Sequence, residues 1–186
     1  MSDLITRLKL DHKNISKLLK LLEKQLMAFE AGEYADYQLL TDIMHYFVNY
    51  PDVYHHPHED IIYSALKKKN IGVADEVDEI TAEHRDMAVE SAEILDKLIQ
   101  IQGNAIFSRD EFATQLKNFI SHYHAHIEKE EEDLFSPAER YLEENDWKVI
   151  DAEVVASDDP LFDRIMDDRY KQLYQIIMAE GKAGEV

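Results

Sequence analysis

The chain has 186 residues, of which 45% are hydrophobic, and a formal net charge of −19 at pH 7. This acidic excess excludes the basic surface that non-specific binding to nucleic acid or to an anionic membrane requires. The absence of cysteine excludes disulfides, thiolate zinc sites and iron–sulfur clusters. The N-terminal residues lack the apolar run of a signal peptide, and no stretch has membrane-spanning length, so we expect a cytoplasmic protein.

The first predicted helix extends from Ile5 to Phe29, and Gly32 ends it. Its apolar residues recur at alternating intervals of three and four, which is the pattern of a helix packed on one side in a bundle. One position of this apolar stripe holds His12 instead of a hydrophobic residue. A single histidine on such a stripe is more often an ordinary core residue than a metal ligand.

The second predicted helix extends from about Asp36 to Lys69, and Pro51 and Pro57 are expected to bend it. Its inward stripe contains His55 and Glu59, which are four residues apart. Residues at this spacing lie on one helix face, one turn apart. A ring nitrogen and a carboxylate placed in this way can bind the same metal ion.

Other polar residues surround this pair. On an uninterrupted helix, His56 shares a stripe with Asn49 and Lys67, and this pattern predicts that His56 faces solvent. His58 is expected at the rim of the site. Asp60 is placed where it can orient a metal-binding histidine through a hydrogen bond from behind.

The third predicted helix extends from Ala74 to Gln102 and carries His84 within an apolar stripe. The fourth extends from about Asp110 to Glu143 and carries a second pair, His126 and Glu130, again four residues apart. The two halves of the chain therefore form a weak repeat. Each half has a helix with one histidine, followed by a helix with a His-x-x-x-Glu pair.

Several neighbours of the second pair have more than one interpretation. His122 lies one turn before the histidine of the pair. Three interpretations are open for it: a seventh metal ligand, a residue that contacts a ligand but not the metal, or a histidine at the rim of the site. Tyr123 is either an ordinary core residue or a hydrogen-bond donor to an oxygen species at a metal. His124 points to the opposite side of the helix. Residues 128–133, apart from Glu130, are predicted to form a solvated face.

Residues 146–186 are interpreted as a C-terminal helical extension that follows a bundle of residues 1–145. Residues 157–160, Ser-Asp-Asp-Pro, predict a turn and the start of a helix. We expect this extension to pack on the bundle as a fifth helix, and the alternative is a helix for a dimer or another partner. Its apolar stripe consists of Leu161, Ile165, Tyr170, Leu173 and Ile177.

Four long helices joined by short links predict an all-α, up-down-up-down four-helix bundle. In antiparallel order, six polar residues reach the same end of the bundle at a similar depth. Buried carboxylates without partners cost several kcal/mol, and no Lys or Arg occupies a stripe position beside them. Two cations bound by nitrogen and oxygen ligands resolve this cost, and such ligands favour iron, manganese or zinc. The six candidate ligands are His12, His55, Glu59, His84, His126 and Glu130.

The ferritin-like di-iron fold is the structural rival of this bundle. That fold needs a Glu three residues before the ligand His on two of its helices. Here the corresponding positions hold Asp52, Thr81 and Tyr123. The sequence therefore argues against a ferritin-like centre.

Four separated motifs resemble the bacterial hemerythrin-like domains, also called HHE cation-binding domains. They are Asp11-His12, His-His-Pro-His-Glu-Asp at 55–60, Glu-His-Arg at 83–85, and the His-x-x-x-Glu motif within 126–131. The resemblance spans about residues 4–140. It implies a non-haem centre of two iron ions, bridged by two carboxylates and an oxo or hydroxo group, with zinc or manganese as substitute metals.

The chain departs from the invertebrate oxygen carriers of this family. Those carriers have His-x-x-x-His on the third helix, whereas Ala88 stands four residues after His84 here. They also end the fourth-helix motif with an Asp, whereas the partner of His126 is Glu130. One iron therefore lacks a histidine unless His122 replaces it, which argues against simple oxygen carriage.

The resemblance implies a protein that binds O₂, or a related diatomic or peroxide ligand, in oxygen or iron sensing, storage, or the response to oxidative or nitrosative stress. The first alternative is a di-iron redox enzyme such as a peroxidase, an oxidase or a nitric-oxide reductase. The second is a regulator in which the C-terminal extension responds to the metal and moves a partner. A homodimer is left open.

Overall fold

The computed structural model describes residues 3–163 and 166–183. These residues are helical with no strand among them, which confirms the all-α fold class. The up-down-up-down order of the long helices stays a prediction. The helices are α1 Asp3–Glu30, α2 Tyr37–Asn49, α3 His56–Lys68, α4 Ala74–Gln102, α5 Arg109–Glu130, α6 Ser136–Tyr141, α7 Glu144–Glu153 and α8 Lys171–Ala183.

Local signals explain where the helices begin and end. The side chain of Asp36 accepts a hydrogen bond from the backbone N–H of Leu39 at 3.0 Å and caps α2. Ser108 caps α5 in the same way, through the backbone N–H of Glu111. Gly32 has a φ of 76°, a left-handed conformation that suits glycine and ends α1.

The helix predicted over about residues 36–69, with bends at Pro51 and Pro57, consists of two α-helices, because a π-helical turn over Pro51–His55 separates α2 from α3. Proline has no backbone N–H to donate, and Tyr50 before it leaves the helical conformation, with φ −122° and ψ −65°. The N–H of His55 then bonds five residues back to the carbonyl of Tyr50 at 3.4 Å. A π turn holds more residues than an α turn, so every later side chain is rotated relative to an uninterrupted helix.

A second π-helical turn, Glu131–Phe135, follows α5 directly. The predicted fourth helix therefore does not run unbroken to Glu143. It continues as α6 and ends at Tyr141. The first π turn ends at His55, the histidine of the first His-x-x-x-Glu pair, and the second begins directly after Glu130 of the second pair.

The region after residue 145 differs in part from the prediction. Residues 160–162 form a turn and not the start of a helix, and α8 begins at Lys171 after a 3₁₀ turn. Ile165 lies outside the described residues. The other predicted stripe members, Leu161, Tyr170, Leu173 and Ile177, are buried in the larger apolar core.

Two apolar clusters form the core, and a polar layer separates them along the helices. On α1, Leu8 belongs to the smaller cluster and Ile15 to the larger one, with His12 between them. On α4, Ile80 and Met87 flank His84 in the same way. The apolar packing above and below therefore holds the polar residues of different helices at one level. No helix in the described ranges is both long and apolar enough to cross a membrane.

Candidate metal centre

The polar layer contains all six predicted ligands, and each of them is at most 4% exposed. α1 contributes His12, α4 contributes His84, and α5 contributes His126 and Glu130. His55 ends the first π turn, and Glu59 lies in the first turn of α3. The structure thus brings together six side chains that lie far apart in the sequence.

Glu59 lies between the histidines of the first half of the chain. Its Oε1 is 3.2 Å from Nε2 of His12 and 3.3 Å from Nε2 of His55. Its other oxygen, Oε2, is 3.7 Å from Nε2 of His84. The carboxylate therefore faces both halves of the site.

Glu130 takes the equivalent place in the second half. Its Oε2 is 3.3 Å from Nε2 of both His12 and His126, and its Oε1 is 3.1 Å from Nε2 of His84. The hydroxyl of buried Tyr63 donates a hydrogen bond to the same Oε1 at 2.9 Å. No sequence pattern singled out Tyr63.

His56 is buried in the site, and the prediction that it faces solvent is wrong. Its side chain is 2% exposed, and its ring stacks on that of His84 with the centroids 4.5 Å apart. The π turn before α3 explains the difference, since it changes the helical register on which that prediction depended. Ligand atoms of His56, His84 and His126 lie within 4.8 Å of one another.

The side chains form three overlapping groups that could hold a metal ion. The first consists of His12, His55 and Glu59, and the second of His56, His84 and His126. The third consists of Glu59, His84 and Glu130, so it shares one residue with each of the other groups. Each half of the chain therefore contributes candidate metal ligands, and Glu59 and His84 each belong to two of the groups.

The fit of a cation can be judged from the buried polar atoms that lack a hydrogen-bond partner. Within the described part of the chain, Nε2 of His12, Nε2 of His126, both oxygens of Glu59 and Oε2 of Glu130 are buried without a hydrogen-bond partner. Buried polar groups are nearly always satisfied, and unpaired carboxylate oxygens are especially costly. Lone pairs of neutral imidazoles and carboxylates are the donors that a transition-metal ion accepts. The residues present therefore fit a pair of metal ions.

Each of the five central histidines has a carboxylate on its outer side. In every case the ring nitrogen facing this carboxylate is Nδ1. For four of the five histidines this contact is a hydrogen bond, and Nε2 lies within 3.3 Å of Glu59 or Glu130. Such a hydrogen bond selects the tautomer with the proton on Nδ1 and leaves Nε2 free for a metal. In the fifth, His56, Nδ1 forms no hydrogen bond within the described residues, and Nε2 faces the hydroxyl of Tyr123. The distances from Nδ1 are 3.0 Å for His12 to Glu131, 3.3 Å for His55 to Asp11, 3.4 Å for His56 to Asp52, 2.8 Å for His84 to Asp60 and 3.0 Å for His126 to Glu83.

Only Asp60 among these outer carboxylates was predicted in this role. Glu131 was assigned to a solvated face, yet it contacts His12. A signal was present for some of them, because Asp11, Glu83 and Glu131 each lie directly beside a candidate ligand in the sequence. The pairing itself was not visible, since the carboxylate and its histidine come from different helices in most cases.

The electrostatics of the layer reflect its density of charged groups. Burial and the charge of Glu130 raise the pKa of Glu59 to about 7. Burial lowers the pKa of His84, but hydrogen bonds to Asp60 and Glu130 and the nearby carboxylates raise it to about 10. Burial by itself would lower the pKa of His12, but the carboxylates that contact its ring raise this pKa above its usual value. Protons on these imidazoles balance the negative charge of the carboxylates, as metal cations would.

The other histidines have different environments. Nδ1 of His122 is 3.2 Å from Glu90, its side chain is 30% exposed, and it joins none of the three groups. His124 is exposed, as expected from its direction. His58 is buried, and its Nε2 donates a hydrogen bond to the carbonyl of Val155 at 2.9 Å, so the prediction of a rim position is wrong.

Tyr123 is buried beside the second group of histidines. Its hydroxyl is 3.1 Å from Nε2 of His56, and its ring packs against Phe47 and Phe119 in the larger apolar cluster. The ring of Tyr123 therefore belongs to the core, as in the first of its two interpretations, and its hydroxyl contacts His56. Donation from this hydroxyl to an oxygen species at a metal stays a prediction.

Comparison with known proteins agrees with this geometry. The family model of the hemerythrin HHE cation-binding domain matches residues 3–138. No curated protein and no solved structure matches the chain. Since the matched residues span most of the chain and include every member of the buried His/Glu centre, this protein belongs to the hemerythrin HHE cation-binding domain family.

Proposed function

We propose that this protein holds two iron ions and binds O₂ or a related diatomic or peroxide ligand, in oxygen or iron sensing, storage, or the response to oxidative or nitrosative stress. Zinc or manganese would substitute for iron in the same site. The observation that carries the proposal is a set of five buried imidazoles and two buried carboxylates, whose ligand atoms form three overlapping groups.

The ligands divide into two sets. His12 and His55 would hold the first ion, and His56, His84 and His126 the second. Glu59 and Glu130 face both sets and would contribute to both ions. His56 thus supplies the histidine that the sequence left missing, and His122 is not needed for it.

The first ion would have fewer protein donors than the second, so a small molecule would bind at the first ion. Histidine and carboxylate donors that leave positions open are typical of non-haem iron sites that react with oxygen. The ring of Phe135 stacks on that of His12 with centroids 5.4 Å apart, so an apolar surface lines this side. The chain's own contribution is to orient donors, to balance charge and to limit access of water.

A pair of iron ions supplies the electrons for binding or reduction of oxygen species, and the protein supplies the rest. Glu59 and Glu130 balance positive charge in a low-dielectric layer. The outer carboxylates fix the imidazole rings, and therefore the direction of each Nε2.

One observation favours the alternative, a di-iron redox enzyme of peroxidase, oxidase or nitric-oxide reductase type. The hydroxyls of Tyr63 and Tyr123 lie within hydrogen-bond distance of Glu130 and of His56. Both hydroxyls are placed to hold a proton beside the site, which a reduction that consumes protons needs.

Reconstitution with ferrous iron in the absence of O₂, followed by admission of O₂, tests the proposal and separates it from the alternative. We expect two irons per chain by metal analysis. A visible absorption band that disappears when O₂ is removed supports a binding or sensing role. Rapid irreversible oxidation with consumption of peroxide supports the enzyme. A chain that binds fewer than two irons contradicts both.

A further inference from the structure

The link between α7 and the 3₁₀ turn contains a partly buried segment, residues 155–163. It lies beyond the residues that the family model matches. Within it Asp159 is 2% exposed and Leu161 is fully buried. Oδ1 of Asp159 accepts hydrogen bonds from the backbone N–H groups of Leu161 at 2.8 Å and Phe162 at 3.0 Å, which close the turn.

The other oxygen of Asp159 connects this segment to the metal centre. Oδ2 accepts a hydrogen bond from the hydroxyl of Tyr46 at 2.9 Å, and the ring of Tyr46 packs on Tyr50 with centroids 5.6 Å apart. The hydroxyl of Tyr50 donates to Oδ2 of Asp11 at 3.3 Å. The same oxygen accepts the Nδ1 hydrogen bond of His55 at 3.3 Å. An unbroken series of buried contacts therefore joins Asp159 to a candidate ligand.

Arg7 makes a second connection to the same place. Its Nη2 donates to the carbonyl of Ser157 and lies 3.5 Å from the hydroxyl of Tyr50. It is also 3.7 Å from the carboxylate of Asp163. Arg7 thus holds the segment at two points and contacts the tyrosine that orients Asp11.

A third contact reaches the ligand-bearing helix α3 itself. His58 lies between His56 and Glu59 in the sequence, and its Nε2 donates to the carbonyl of Val155 at 2.9 Å. The segment therefore covers the start of α3 and at the same time contacts the residues behind His55.

We propose that residues 155–163 are a positioning element of the metal centre, which orients His55 through Tyr46, Tyr50, Asp11 and Arg7. This inference rests on the proposed function, because it needs a metal ion at His55. An ion on Nε2 of His55 fixes the ring and therefore its partner Asp11. By thermodynamic linkage, a segment that stabilises metal binding is itself stabilised by the metal to the same degree.

Metal retention in two matched variants tests the positioning role. Tyr46→Phe removes the hydroxyl that bonds Asp159, whereas Tyr170→Phe removes a buried hydroxyl that bonds His45 at 2.7 Å, away from the ligands. Each protein is loaded with Zn²⁺, and the loss of each ion to excess chelator is followed. Because outer partners of metal ligands typically change affinity about tenfold to a hundredfold, we expect Tyr46→Phe to lose one of the two ions about tenfold faster than wild type. We expect Tyr170→Phe to behave like wild type.

Equal rates in the three proteins, or equal acceleration in both variants, would overturn the inference. Thermal unfolding of the metal-free proteins accompanies this test. A general loss of stability in Tyr46→Phe would lower its Tm as well as speed the release of metal. A Tm equal to that of Tyr170→Phe, together with faster release, shows that the effect belongs to the site.

Hydrogen exchange in wild type tests the reverse direction and needs no variant. The amides of Leu161 and Phe162, which bond to Asp159, should exchange more slowly in the Zn²⁺-loaded protein than in the metal-free protein. The amide of Leu39 bonds to Asp36 in a similar cap and should be unchanged. Equal exchange at Leu161 and Phe162 in both forms contradicts the inference, provided that Zn²⁺ is bound. Failure to bind Zn²⁺ contradicts the proposed function instead.

Discussion

The rings of His56 and His84 stack face to face, with centroids 4.5 Å apart and an interplanar angle of 10°. His56 is placed in this contact by the π turn at the end of α2, and His84 by the middle of the long helix α4. Their Nδ1 atoms face different carboxylates, that of Asp52 at 3.4 Å and that of Asp60 at 2.8 Å. This relationship makes His56 a candidate ligand on equal terms with His84.

Replacement of His56 tests this assignment directly. His56→Leu fills a similar volume with an apolar side chain that has no ring nitrogen. We therefore expect the variant to bind one ion tightly in place of two. His122→Leu is the matched control, since His122 pairs with Glu90 outside the three groups. Metal analysis after equilibration with Zn²⁺ measures both variants. Two tightly bound ions in His56→Leu, or loss of an ion in His122→Leu, would reverse the assignment.

The outer carboxylates are expected to determine metal affinity. Glu83→Gln weakens the support of His126, whose Nδ1 lies 3.0 Å from that carboxylate, so we expect the affinity for one Zn²⁺ ion to fall about tenfold to a hundredfold. Glu90→Gln is the control, because Glu90 contacts only the partly exposed His122 among the histidines of this region. Competition with a metal indicator measures the affinities. Similar affinities in the two variants would exclude an orienting role for Glu83.

Metal binding should strengthen as the pH rises. The pKa of His84 is raised to about 10 in the metal-free protein, so near neutral pH its proton must leave before Nε2 can bind an ion. For each proton released, affinity rises about tenfold per pH unit below that pKa. Zn²⁺ titrations between about pH 6 and 8 measure the slope. Asp60→Asn removes a hydrogen bond that raises the pKa of His84, so its slope should be smaller. Affinity that does not change over this range would contradict the expectation.

The bound metal should also stabilise the fold. A ligand at a hundred times its Kd stabilises the native state by about 2.7 kcal/mol, which for a chain of this size raises the Tm by roughly 5–10 °C. Zn²⁺ should produce this shift, whereas Mg²⁺ at equal concentration should not, because Mg²⁺ prefers oxygen donors to imidazoles. Thermal unfolding followed by circular dichroism measures the shift. The same Tm with both ions would indicate that no such site forms.

The helical class and six of the candidate ligands were predictable from local patterns in the sequence. An apolar stripe at intervals of three and four predicts a buried helix face, so His12 and His84 within such stripes stood out. The pairs His55 with Glu59 and His126 with Glu130 followed from the same helical period. These features depend only on residues within a turn or two of one another, and local spacing is enough to identify them.

The burial of His56, the partners of the histidines and the place of the C-terminal segment depend on the tertiary structure. The π turn before α3 depends on where Pro51 interrupts the backbone hydrogen bonds, and a stripe drawn on an uninterrupted helix cannot show it. The contact of His55 with Asp11 joins residues 44 positions apart, and that of Tyr46 with Asp159 joins residues 113 apart. Such contacts are set by the packing of separate helices around a shared core, which no local pattern of residues contains.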